Sequence, residues 1–253
     1  MLKRTNLVVG LVLALGLVGC TSAPELAKYP RTQMERPYTL PAKVATWTTI
    51  LPFGYYSNNT SSAVLPPIPI PLFWTVALTD KWSLNWAPLP TSVSYQIAQT
   101  DTHLLGLSFG AGYGYGSGTI GVVIAPAVAF FYRQELTPTV ALEVRPAVAA
   151  GFYTGGNPTN WATELDIGPL FQLTPVFALR ARGTLKVSNG TVTLVTPSVM
   201  PPTVTSFTVP LSLSTVWSVG RQWDLNFGYT FDGIGYSNGY QGHTGSVSAV
   251  HYW

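Results

Sequence analysis

From Ala45 onward the chain alternates apolar with polar or small residues at period two, in runs separated by turn-forming residues. The clearest block is Thr119–Val187, which is broken by two near-identical turns, Leu136-Thr137-Pro138 and Leu173-Thr174-Pro175. In its first run Ile120, Val122, Ile124, Val128, Phe130 and Tyr132 share one face. The next run sends Val140, Leu142, Val144 and Val148 one way and Ala141, Glu143, Arg145 and Ala147 the other. Trp161, Leu165, Ile167 and Phe171 then oppose Glu164, Asp166, Gly168 and Gln172, and Phe177, Leu179, Ala181 and Leu185 oppose Arg180, Arg182, Thr184 and Lys186. Successive side chains on a strand point to opposite faces, so these runs are long antiparallel β-strands.

The same pattern predicts twelve strands in all. They fall near Ala45–Tyr55, Ile68–Leu78, Trp82–Pro88, Ser92–Thr100, His103–Gly114, Thr119–Arg133, Val140–Val148, Trp161–Gln172, Phe177–Val187, Thr203–Trp217, Trp223–Phe231 and Gly245–Trp253. The second is irregular at one end, because Pro67, Pro69 and Pro71 cannot donate to a ladder. Every second connection is tight: Thr79-Asp80, Asp101-Thr102, Thr137-Pro138, Thr174-Pro175 and Gly220-Arg221. The others are mostly longer, including Gly116-Ser117-Gly118 and a region after Asn189-Gly190 where Thr191–Val195 could add a strand. Ten or fourteen spanning strands remain compatible with the pattern.

Alternation does not say which face is wet, but composition does. Charged residues are 9% of the chain, against about 25% in ordinary soluble domains. The non-apolar face is mostly Gly, Ala, Ser and Thr, which suits a packed or channel interior. The strands also match the roughly 9–11 residues needed to cross a bilayer at a tilt. The fold expected is all-β: a transmembrane antiparallel up-and-down barrel, with the apolar face toward lipid.

The chain start is patterned differently. Lys3 and Arg4 precede an apolar run, Leu7–Val18, that is short for a spanning helix and reads as a signal peptide. The run ends in Leu17-Val18-Gly19-Cys20, which resembles the lipobox of bacterial lipoproteins. The resemblance implies cleavage before Cys20 and acylation of that residue. Residues 20–43 carry Lys28, Arg31, Arg36 and Lys43 among Pro24, Pro30, Pro37 and Pro41, and read as an extended periplasmic tether without a core of its own. The alternative is a plug that enters the barrel. The expected organisation is thus signal peptide 1–19, lipidated tether 20–43 and barrel 44–253. The terminal Trp253 closes an alternating strand and looks like the assembly signal of bacterial outer-membrane barrel proteins. Taken together, these features resemble that broad class, in the outer membrane of a Gram-negative bacterium. Outer-membrane lipids and the barrel-assembly and lipoprotein-sorting machineries are the partners implied.

By parity the lumen receives Arg133, Glu143, Arg145, Glu164, Asp166, Arg180, Arg182, Lys186 and Asp224. Folding back at Thr174-Pro175 sets Arg182 opposite Asp166, with Glu164 diagonal to it and Arg180 in the same cluster. Such a group is either a brace or a constriction that tunes permeation, and its near-balanced signs argue against strong preference for anions or cations. His243 with Ser237 or Ser246 and Asp232 is the sole candidate for a hydrolase cluster. The three histidines, His103, His243 and His251, have no metal-ligand spacing, so no metal, cofactor or catalytic residue is assigned. Nothing points to nucleic acid. The Trp and Tyr residues fit interfacial girdles, with Trp82, Trp217 and Trp223 beside the tight turns and Trp161, Tyr55 and Tyr113 toward the other rim. The functional expectation is a passive, porin-like channel for small solutes. A structural or partner-binding barrel and a lipid-acting hydrolase are the alternatives.

Overall fold

A computed structural model of the chain describes residues 26, 27, 29–67, 70–86, 91–115, 122–153, 160–189, 205–234 and 240–253. The signal segment, Cys20, the 191–195 region, Gly116–Gly118 and Ser237 lie outside the described residues. Among the described residues the strands are β1 (Ala45–Ser57), β2 (Ser62–Leu65), β3 (Ile70–Thr79), β4 (Trp82–Trp86), β5 (Thr91–Gln99), β6 (His103–Tyr115) and β7 (Val122–Thr137). They continue as β8 (Val140–Tyr153), β9 (Asn160–Thr174), β10 (Phe177–Asn189), β11 (Thr205–Thr208), β12 (Leu211–Val219), β13 (Trp223–Asp232) and β14 (Gln241–Tyr252).

All of them belong to one antiparallel sheet that closes on itself. Sequential neighbours pair around the wall, and β14 returns to β1, with Thr46 opposite Tyr252 and Phe53 opposite Gly245. Two wall positions are each built from a four-residue strand in tandem with a longer one. β2 and β3 both pair with β1, at Gly54–Ser57 and Ala45–Ile50 respectively, and Pro66 and Pro67 follow β2. β11 and β12 both pair with β10, and the ladder breaks at Val209-Pro210. Proline removes the N–H that a continuous strand would donate. Counting each pair as one wall strand gives a closed twelve-stranded barrel.

Parity sorts the side chains as the alternation requires. On β7 Phe130 is 48% exposed while Ala129 is 6% exposed. Phe109, Ile167, Leu213, Phe227 and Tyr229 are likewise exposed, and together they give the barrel an apolar outer belt. Aromatic residues gather at the tight-turn end of that belt. Trp82 packs on Tyr95, Trp74 meets Trp253 edge-on, and His251 lies between Trp223 and Trp253. Tyr55 and Trp161 are exposed toward the other rim.

The segment before β1 corrects the sequence reading. Its described residues, 26, 27 and 29–44, are not an extended tether. Leu26, Tyr29, Met34, Leu40 and Val44 are buried, and the segment sits inside the tight-turn end of the barrel. Leu26, Tyr29, Leu40 and Val44 pack with Ala77 and Tyr252, while Met34 packs with Ala141, Leu170 and Ala178. Lys43, at φ 67°, turns the chain out of the lumen and into the wall.

Candidate functional site: a stoppered, charged lumen

The stopper is held by polar contacts suited to its composition. Arg36 forms a two-pronged ion pair with Asp224: Nη1 meets Oδ2, and Nη2 donates to Oδ1 at 3.0 Å. Its other N–H groups donate to the Ser218 hydroxyl, the Tyr252 hydroxyl and the Pro30 carbonyl. The guanidinium also lies 5.1 Å from the Tyr29 ring centre. Burial pushes the Tyr29 hydroxyl up to about 12, so this ring stays neutral and Asp224 is the counter-ion. Burial is the largest single influence and opposes the charge on Arg36, but the hydrogen bond to Asp224 and the electrostatic influence of Tyr252, Tyr29 and Asp224 together outweigh it and raise the guanidinium above its ordinary value.

Wall side chains complete the stopper's backbone hydrogen bonds. Arg133 donates to the carbonyls of Gln33 at 2.8 Å and Arg36 at 2.6 Å. The Gln172 side-chain oxygen accepts from the Gln33 amide, Gln96 from the Tyr38 amide, Ser83 from Leu40 and Asp80 from Ala42. Proline-rich backbone has no ladder of its own, and buried amides need partners. Tyr38 stacks on Phe131 and lies over Gly106, where an added Cβ would stand 2.2 Å from its ring. That glycine is the notch into which the stopper fits.

Beyond the stopper the lumen holds a layer of charge. Glu143 on β8 reaches across β9 to β10, with Arg182 Nη2 at 2.8 Å and Arg180 Nε at 2.7 Å from its Oε2. It can do so because the lumenal position between them on β9 is Gly168, which stands opposite Glu143 in the ladder. A Cβ there would fall 1.9 Å from the Ala181 carbonyl oxygen, so the backbones meet where no side chain fits. Farther along, Lys186 pairs with Glu164 at 3.0 Å, and Thr184 donates to Asp166 at 2.6 Å. Arg145 stands in register with Asp166.

This arrangement corrects the expected register. Arg182 does not sit opposite Asp166, and Arg180, Arg182, Glu164 and Asp166 do not form one cluster. The loop between β9 and β10 is Pro175-Val176, and a register shift at Phe177/Ala178 follows it. Thr184 therefore faces Asp166, and Lys186 faces Glu164. The nine lumenal charges divide into three groups. Asp224 and Arg133 hold the stopper, Glu143 binds Arg180 and Arg182, and Arg145, Glu164, Asp166 and Lys186 lie deeper toward the long loops. Sequence reasoning missed Arg36 and Tyr38 as lumenal contacts. Parity set Gln172 and Gly168 on the polar face without giving either a role, and Gly168 carried a further signal as a side-chain gap in that row.

Two cavities adjoin the stopper, of about 280 Å³ and about 260 Å³. They share Tyr29, Pro37, Tyr38, Val250 and Tyr252, so the stopper's own chain divides them. The first is lined by the charged layer and Asn226; the second is lined by neutral groups such as Thr48, Thr75, Ser83, Asn85 and Ser94. Among the described residues of the candidate hydrolase cluster, His243 and Ser246 do not come together. His243 bonds the Tyr229 hydroxyl at 2.7 Å and packs on Phe231 on the outer face, while Ser246 lies beside Gly228 inside. Among the described residues no group of His, Cys, Asp and Glu could hold a metal ion.

No protein-family model and no curated protein matches this chain. Solved structures do. An outer membrane channel from Pseudomonas putida F1 is similar at TM-score 0.56 and 10% identity, over 85% of this chain and 97% of that one. The NanC porin is similar at TM-score 0.51 and 10% identity, over 80% and 98%. What the chain shares with them is the fold, a closed antiparallel β-barrel.

Proposed function

We propose that the protein is a lipid-anchored channel of the bacterial outer membrane that passes small solutes and is closed at its periplasmic end by its own N-terminal segment. The observation that carries this reading is the hollow polar interior. Two cavities adjoin a stopper that is held by an ion pair and hydrogen bonds, in place of one continuous apolar core. The two fold neighbours are described as a channel and a porin, which supports the same reading. Bacterial barrels place short turns in the periplasm and long loops outside. On that rule residues 26–44 face the periplasm, the side on which an acyl anchor at Cys20 would sit.

The stopper also supports a second reading, a structural or partner-binding barrel that never opens. Liposome swelling separates the two. Vesicles holding the full-length protein should admit a small sugar slowly, and should admit it many-fold faster with Arg36→Ala, which frees the stopper. Vesicles as tight as protein-free ones in both cases would leave the structural reading standing.

A further inference from the structure

We propose that Arg180 and Arg182 form a lumenal binding site for small organic carboxylates, an inference that deepens the channel reading and rests on it for the solute's route. The nine lumenal charges are near balance in number, yet burial makes them unequal. The larger cavity is lined by four arginines, Arg36, Arg133, Arg180 and Arg182, against two carboxylates, Glu143 and Asp224. Asp224 is enclosed by Arg36 and the Tyr252 hydroxyl. The Glu143 side chain is 3% exposed, whereas those of Arg180 and Arg182 are 21% and 26% exposed. A solute in the cavity therefore meets guanidinium groups, with the acids behind them.

The donor count points the same way. A guanidinium carries five N–H donors in a planar fork. Among the described residues Arg182 has one partner, Glu143; Arg180 donates from Nη2 to the same carboxylate, and its Nε, 2.7 Å from that carboxylate, is buried without a hydrogen bond. One carboxylate cannot satisfy two forks, and the donors left over belong to side chains that line the cavity. Partly desolvated arginines match a second carboxylate in charge and in planar bidentate geometry. Asn226, on the same cavity, adds a neutral donor and acceptor beside it. Ligand pockets commonly run from about 300 to 1,000 Å³, so the cavity of about 280 Å³ suits an acid of a few heavy atoms and excludes an oligomer.

The test uses the full-length protein in detergent and sodium lactate as the probe, read by saturation-transfer NMR. Wild type should transfer saturation to lactate, and the Arg180→Gln/Arg182→Gln protein should lose at least four-fifths of the signal. Glu143→Gln removes the competing carboxylate and should tighten lactate several-fold. Heat-modifiable migration in gels reports folding, and if the double variant fails to fold, Glu143→Gln decides alone. Undiminished transfer in a folded double variant, or no tightening in Glu143→Gln, overturns the proposal. Binding here needs no conduction. A protein that binds lactate but leaves vesicles tight refutes the channel and keeps the site, and one that conducts without binding does the reverse.

Discussion

Arg36→Ala tests the stopper at its strongest contact. The Asp224 side chain is 4% exposed, and the substitution takes away its counter-ion while leaving the Tyr252 hydroxyl at 2.7 Å. Removing one partner of a buried pair costs about 3–5 kcal/mol. The retained hydroxyl places this case at the lower end. At about 1.4 kcal/mol per decade, even that is roughly a hundredfold shift between docked and undocked segment. Met34, 4% exposed under Ala141, Leu170 and Ala178, reports that equilibrium. With Met34→Cys in a Cys20→Ala background, a maleimide should label the Arg36→Ala protein about a hundred times faster than its parent. Adding Asp224→Asn should restore part of the protection, because the orphaned charge is gone. Equal labelling rates with and without Arg36 would show that the ion pair does not hold the segment.

Other expectations concern the wall and the anchor. Gly168→Ala forces a Cβ to 1.9 Å from the Ala181 carbonyl and should lower the barrel's melting temperature sharply or stop folding, as seen by gel migration. Ile167→Arg places charge on the outer belt near mid-strand and should destabilise by about 2–4 kcal/mol in a lipid unfolding titration, while Ser214→Arg, facing the lumen, should cost far less. Gly106→Ala meets the Tyr38 ring and should loosen the stopper without unfolding the barrel, read by the same Met34 cysteine label. A fatty-acid analogue should label the wild-type protein and spare Cys20→Ala; equal labelling would refute the anchor.

The barrel was legible because each wall strand writes its own two faces. Phe130 and Ala129, or Ile167 and Gly168, are neighbours in sequence that point to opposite media. Proline was legible as a disturbance near Pro67, but the break at Val209-Pro210 was not, because the alternation reads straight through Thr203–Trp217. The stopper was legible only as the alternative to a tether, because its partners are remote. Arg36 and Asp224 lie 188 residues apart, and a proline-rich basic stretch looks the same whether water or a lumen receives it. The pairing of the lumenal charges failed for a smaller reason. Parity set these charges on one face of their strands, but the register shift at Phe177/Ala178 decided which acid meets which base, and no residue type announces it.

Single-channel recording in planar bilayers tests most directly whether the barrel conducts and is closed by its N-terminal segment. The full-length wild-type protein should give rare, brief openings in potassium chloride. Arg36→Ala should give steady openings of one larger amplitude, with reversal potentials in a salt gradient shifted toward anions by the exposed Arg180 and Arg182. Silence from both proteins, in bilayers where gel migration shows the barrel folded, would contradict the account.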